Sequence, residues 1–123
     1  MEKKLVVAFS EEDNRILEDA AKITKRPMMV LIRMALNEQF LRIQEEAEKE
    51  GKLVFEFPVD LDWEENNFIR KMSIPVSEPV YDIYRRYIKP QPFVQQKFLV
   101  YLIMPIFQQI IEKKKTSLEV SLL

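Results

Sequence analysis

Four basic residues stand at two short alternating stretches. Lys3 and Lys4 open Lys3-Lys4-Leu5-Val6-Val7-Ala8-Phe9-Ser10-Glu11, and Arg70 and Lys71 open Arg70-Lys71-Met72-Ser73-Ile74-Pro75-Val76-Ser77-Glu78. If the two stretches pair as strands, these cations flank one ribbon. Such a strip can hold a polyanion, and equally it is the Lys decoration that keeps a strand edge from aggregating. Lys25 and Arg26 form a second basic pair, read either as a phosphate clamp or as partners of a helix C-terminus. Arg85 and Arg86 beside Tyr84 and Tyr87 suit the solvated side of an amphipathic helix better than a stacking platform.

Other chemistry is largely closed. The chain has no His and no Cys, which removes the commonest general base, the commonest transition-metal ligand and any disulfide. Its only glycine, Gly51, cannot build a phosphate-cradling loop. No catalytic constellation emerges, so no enzyme activity and no cofactor are expected. Asp60, Asp62, Glu64 and Glu65 could ligate a hard cation, but they lack the glycine and terminal carboxylate of a calcium loop and read as an acidic linker. The net charge of −1 argues against bulk electrostatic attraction to nucleic acid, so such binding would need local placement of Lys and Arg. With 47% hydrophobic residues, 123 residues suit one compact domain or two small interlocked ones. No signal-peptide pattern or membrane-length apolar run is present, and a cytoplasmic location without membrane association is expected.

The elements that position the basic residues follow from periodicity and caps. Leu5, Val7 and Phe9 alternate with Lys4, Val6 and Ala8, which predicts a strand with one buried face. Ser10 can cap a helix whose first turn holds Glu11, Glu12 and Asp13 and whose stripe is Ile16, Leu17, Ala20 and Ala21. Pro27 suits the start of a second helix with Ile32, Leu36, Phe40 and Ile43 on one face, ended by Gly51. Residues 52–69 read as a structured linker. Leu53, Phe55 and Phe57 could form a short strand there, followed by an acidic turn and a short helix to Ile69. The pattern then restarts: Met72, Ile74 and Val76 alternate, Ser77 caps, and Ile83, Tyr84, Tyr87 and Ile88 form a stripe. A long helix is predicted from about Phe93 to Lys115, with Pro105 kinking it or leaving one carbonyl unpaired. The tail, 117–123, alternates Leu118, Val120 and Leu122 as an edge strand or frayed end.

The restart is a repeat. Shifting the eleven buried-face positions of the first copy by 67 residues lands on Met72, Ile74, Val76, Ile83, Tyr84, Tyr87, Ile88, Leu99, Ile103, Phe107 and Ile110, all apolar or aromatic. A rival shift of 52 keeps only eight of the eleven and leaves the last helix unmatched. The first shift divides the chain into copy 1 (1–51), linker (52–69), copy 2 (70–116) and tail (117–123).

Residues 3–50 resemble the ribbon-helix-helix family, the arc- and CopG-like DNA-binding proteins, in the order of strand, Ser cap, first helix, basic turn and second helix. Ser77-Glu78-Pro79-Val80-Tyr81-Asp82 looks like the same strand-to-helix junction. Two such units in one chain are similar to some plasmid conjugation proteins. The resemblance implies a mainly α fold with short β-strands, tandem β-α-α units forming an intertwined pseudo-dimer or a dimer. It implies an antiparallel ribbon laid in the major groove of double-stranded DNA, and a role as transcriptional regulator or as accessory factor of a mobile element such as a plasmid or virus. Base-facing positions would be Lys4, Val6 and Ala8 on one strand and Lys71, Ser73 and Pro75 on the other. Phosphate contacts would come from Lys3, Lys25, Arg26 and Arg70. The pattern departs from the family, which favours Arg, Lys, Asn, Gln or Thr on the ribbon, and Pro27 removes one candidate phosphate-binding amide. A protein-interaction or assembly module, or an antitoxin with a toxin-binding C-terminal half, is the competing expectation. It is helped by the acidic balance and the apolar outward strand residues; Met28, Met29 and Met34 could form an adaptable partner surface, but core packing explains them more cheaply.

Overall fold

The computed structural model describes residues 3–57, 61, 63, 67–92 and 95–122, with side chains to 113. Its elements run β1 (Lys3–Ser10), α1 (Glu11–Thr24), α2 (Met28–Glu50), β2 (Phe68–Val76), α3 (Glu78–Ile83) and α4 (Gln95–Leu122). The chain is mainly helical, with one two-stranded antiparallel sheet.

Local chemistry sets the helix ends. The Asp13 amide donates to Ser10 Oγ at 3.2 Å, and the Val80 amide to Ser77 Oγ at 3.4 Å, so both serines satisfy an otherwise free donor of a first turn. Gly51 closes α2 in the left-handed conformation, φ 68°, its amide reaching the Ala47 carbonyl. Lys25 closes α1 in the same conformation, φ 57°, with a Cβ that disfavours it. Beyond α3 the backbone widens into a π-type turn over Tyr84–Ile88, with the Lys89 amide bonding the Tyr84 carbonyl at 2.9 Å. Pro105 has no amide to offer the turn before it. In that turn the Gln39 side-chain amide, from α2, donates to the Leu102 carbonyl.

The 67-residue shift reappears in three dimensions. Glu11 and Glu78 start helices 67 residues apart, and the second long helix, described from Gln95, stands 67 residues beyond the first, described from Met28. β1 pairs with β2 so that Val6 faces Ser73, its own counterpart under that shift. The flanking pairs from Lys3–Val76 to Phe9–Arg70 obey the same relation: Leu5 faces Ile74, the counterpart of Val7, and Lys4 faces Pro75, the counterpart of Ala8; only the Ser10–Phe68 pair, beyond a register slip, departs from it. The ribbon thus has a local two-fold axis through the Val6–Ser73 pair. The helices follow it: α1 packs chiefly on α4, and α3 on α2, so the first helix of each half lies on the second helix of the other.

One core lies beneath the ribbon. Leu5, Val7, Phe9, Ile74 and Val76 enter it from the strands, and Ile32, Leu36, Phe40, Leu99, Ile103 and Phe107 from the long helices. Phe9, Phe40, Phe98 and Phe107 are fully enclosed. Burying each side chain stabilises by about 1.5–3 kcal/mol before its ordering entropy. None of the residues at the repeat's eleven paired positions is exposed.

Three expectations need correction. No helix reaches Ile69, because Phe68–Val76 is strand, and β2 begins two residues before the boundary drawn at Arg70; the same strand counts against the shift of 52 already set aside, which makes 63–72 a helix. Residues 117–122 continue α4 instead of forming an edge strand, and among the described residues β1 and β2 pair only with each other. Leu53, Phe55 and Phe57 do alternate inward, half-buried against the core, but residues 52–57 form no strand. Asp60, Asp62, Glu64 and Glu65, and the helix start at Phe93, lie outside the described residues. Among the described residues no helix is long and apolar enough to cross a membrane.

Candidate nucleic-acid interface

Strand parity divides the ribbon into two faces. The core takes one. The other carries all six residues expected to face bases, as three cross-strand pairs: Lys4 with Pro75, Val6 with Ser73 and Ala8 with Lys71. Lys4, Lys71 and Ser73 are exposed, Val6 is 38% exposed, and Pro75 is half-buried. Lys4 and Lys71 are two-fold counterparts at opposite ends of this face, about 13 Å apart along the ribbon. Between them Ser73 is the one side chain that can both donate and accept a hydrogen bond.

Ala8 departs from the expectation. It is 1% exposed, so its methyl is closed to any ligand as the strands stand. It lies at the wall of a cavity of about 630 Å3, shared with Phe68, Ile69, Lys97 and Asp13, next to the place where the register slips between Phe9 and Ser10. Such a slip bends the strand and redirects its end. Ile69 was not anticipated on this face. It shares the parity of Lys71 and Ser73 and is 60% exposed. Its signal was the alternation Ile69-Lys71-Ser73, hidden by ending the linker at the same residue.

The residues expected to hold phosphate are dispersed. Arg70 lies opposite Phe9 and turns toward α1. Its Nε donates to Asn14 Oδ1 at 2.6 Å, and its guanidinium stands 3.8 Å from Glu18, which also accepts from Asn14 at 3.0 Å. Lys3, the two-fold counterpart of Arg70, places its ammonium 5.3 Å from the ring centre of Tyr81, the counterpart of Asn14. A cation near the start of each strand, Lys3 in β1 and Arg70 in β2, therefore reaches the first helix of the other half. Asn14, only 6% exposed, could not be singled out from sequence, because its partner is 56 residues away.

Lys25 and Arg26 are exposed and stand directly before α2. Arg26 Nη1 donates to Met34 Sδ at 3.0 Å. The first turn of α2 has no acidic residue and no side-chain cap, since Pro27 fills the cap position; its free amides carry the positive end of the helix dipole. The second half has no matching cations, because Pro92 stands where Lys25 would be. Tyr84 has its phenol pKa raised above 10.0 by burial and then by the neighbouring Tyr81, whose ring centre is 5.6 Å away. The Tyr84 phenol therefore stays neutral at physiological pH. Among the described residues no group of three acidic side chains could hold a metal ion.

No family model, curated protein or solved structure matches the chain. The ribbon and its helices are thus the whole basis for a functional reading.

Proposed function

We propose that the protein is a tandem ribbon-helix-helix protein that binds double-stranded DNA, one chain supplying both halves of the pseudo-dimer. The observation that carries this reading is the ribbon register centred on Val6 and Ser73, with each strand running through a capping Ser into two helices. The outward face is the part of the molecule that would enter a major groove. Lys4 and Lys71 would donate to guanine or phosphate, and Ser73 to either base edge or backbone. Lys25, Arg26 and the free amides of α2 would add phosphate contacts on one side. With two lysines and one serine on the face, direct readout is sparse. A regulator or mobile-element accessory factor acting partly through DNA shape suits that inventory.

A titration tests this. Binding to a labelled duplex between about 50 and 200 mM salt should follow a log–log slope set by the phosphates neutralised. Lys4→Ala with Lys71→Ala should reduce that slope by about 2 and weaken binding at low salt. Unchanged binding would remove the ribbon from the mechanism.

One observation favours a second reading, a protein-interaction or antitoxin module with little DNA affinity. Val6, Ile69 and Pro75 make much of the outward face apolar, in a chain of net charge −1. That reading predicts no mobility shift on any duplex at low salt, and a protein partner that copurifies.

A further inference from the structure

The local two-fold axis relates more than the ribbon. Between α2 and α4 lies a groove of about 280 Å3. Met34, Ala35 and Glu38 line it from α2, and Ile106, Gln109, Ile110 and Lys113 from α4. Shifting the first three by 67 residues gives Tyr101, Leu102 and Pro105; shifting the other four back gives Gln39, Arg42, Ile43 and Glu46. All seven of those counterparts line a second groove, of about 180 Å3; the two remaining lining residues of the first groove, Leu31 and Phe107, lie deeper and have counterparts, Phe98 and Phe40, that are fully buried and do not line the second. The two grooves are twins.

Among the described residues, the chain itself covers one of them. Val54, Glu56 and the rings of Phe55 and Phe57 run along the second groove. Phe55 and Phe57 meet Phe98 edge-on, with ring centres 5.1 and 5.2 Å apart, and Phe57 lies 6.3 Å from Tyr101. Phe98 and Tyr101 are the counterparts of Leu31 and Met34. In the first groove no described segment lies along these positions. Met34 is 46% exposed there, and its sulfur is steadied at the groove edge by Arg26. From the long helices each groove receives one anionic and one cationic side chain, Glu46 with Arg42 and Glu38 with Lys113, and the covering segment adds Glu56 to the second.

We propose that the open groove docks an extended segment of a partner protein with bulky apolar residues at alternate positions, the pattern of Leu53, Phe55 and Phe57. Alternation puts every second side chain on the groove side, as it does in the covered twin, where Leu53, Phe55 and Phe57 are half-buried and Val54 and Glu56 exposed. A methionine at the edge suits such a ligand, because its unbranched thioether adapts to varied shapes. A second copy of the chain is the poorer occupant, since its own segment of this kind is already seated in its own covered groove. The proposal is independent of DNA binding.

A labelled peptide of sequence 51–57, titrated against the full chain and followed by fluorescence anisotropy, tests it. The expected result is saturable binding of one peptide per chain. Met34→Asp should weaken it at least about tenfold, the loss of roughly one buried apolar contact, and Gln109→Trp should abolish it by filling the groove. Both residues are exposed, and melting curves confirm that the variants remain folded. A peptide with Phe55→Ser and Phe57→Ser should not bind. Absence of binding overturns the proposal. So does binding indifferent to Met34→Asp, which would mean that the peptide displaces the chain's own segment from the covered groove. A dimer in light scattering that Met34→Asp disperses overturns it in favour of a second copy.

Discussion

The two halves share a plan and differ in finish. At the core they are close equivalents: Phe40 and Phe107 are counterparts, and both are wholly buried. At the periphery they diverge. The first half has a full-length α1, while the second has a short α3 that widens into a π-type turn. The first half enters its long helix through Lys25, Arg26 and Pro27, whereas the second has Pro92 in place of Lys25. One groove between the long helices is covered by the linker and its twin is open. Interlocked halves must keep matched interiors, because the core is shared and packed to crystal-like density. Their surfaces carry no such constraint and are where the halves can specialise.

Substitutions at counterpart positions can break or sharpen this comparison. The largest effect is expected in the core. Phe40→Ala and Phe107→Ala should each lower stability by about 3–5 kcal/mol, measured by urea denaturation. A difference between them larger than about 2 kcal/mol would mean that the halves do not share one core equally. Next comes the polar tie between halves. Asn14→Ala leaves the Arg70 guanidinium without its 2.6 Å partner and should cost about 1–3 kcal/mol. Its counterpart, Tyr81→Ala, should cost less at the Lys3 contact, since a cation over a ring near the surface is worth only about 0.5–1 kcal/mol. The caps follow. Ser10→Ala and Ser77→Ala should each cost about 1 kcal/mol, with Ser10 the costlier because its bond is shorter, 3.2 against 3.4 Å. The smallest effect has the opposite sign. Lys25→Gly should stabilise by a few tenths to about 1 kcal/mol, because glycine accepts the left-handed conformation that Lys25 holds at φ 57°. A destabilising result would show that the Lys25 side chain contributes more than its backbone strain costs.

Local signals were the legible part. Ser10, Ser77 and Gly51 act where their chemistry places them, because caps depend on three or four neighbouring residues. The stripe Ile32, Leu36, Phe40 and Ile43 is buried as its spacing required. The outward set of the ribbon was legible for the same reason, since side-chain parity follows from the strand alone. Ala8 was the exception, because its burial depends on a bulge one residue later and on what lies beside the ribbon end. Arg70 and Lys3 looked like ligand-binding cations because a sequence displays charge without displaying its partner.

What the amino-acid order determined by itself is therefore the two ribbon strands, the helices that follow them, their caps, the 67-residue spacing and which strand residues share a face. All of these arise from interactions within one turn or one strand, or from periodicity that survives translation along the chain. Only the tertiary structure decided that the halves exchange first helices, that Arg70 is tied to Asn14 and Lys3 to Tyr81, and that the linker seats on one groove and leaves its twin open. Those outcomes join residues tens of positions apart, where the free energy of packing, not local propensity, selects the partner.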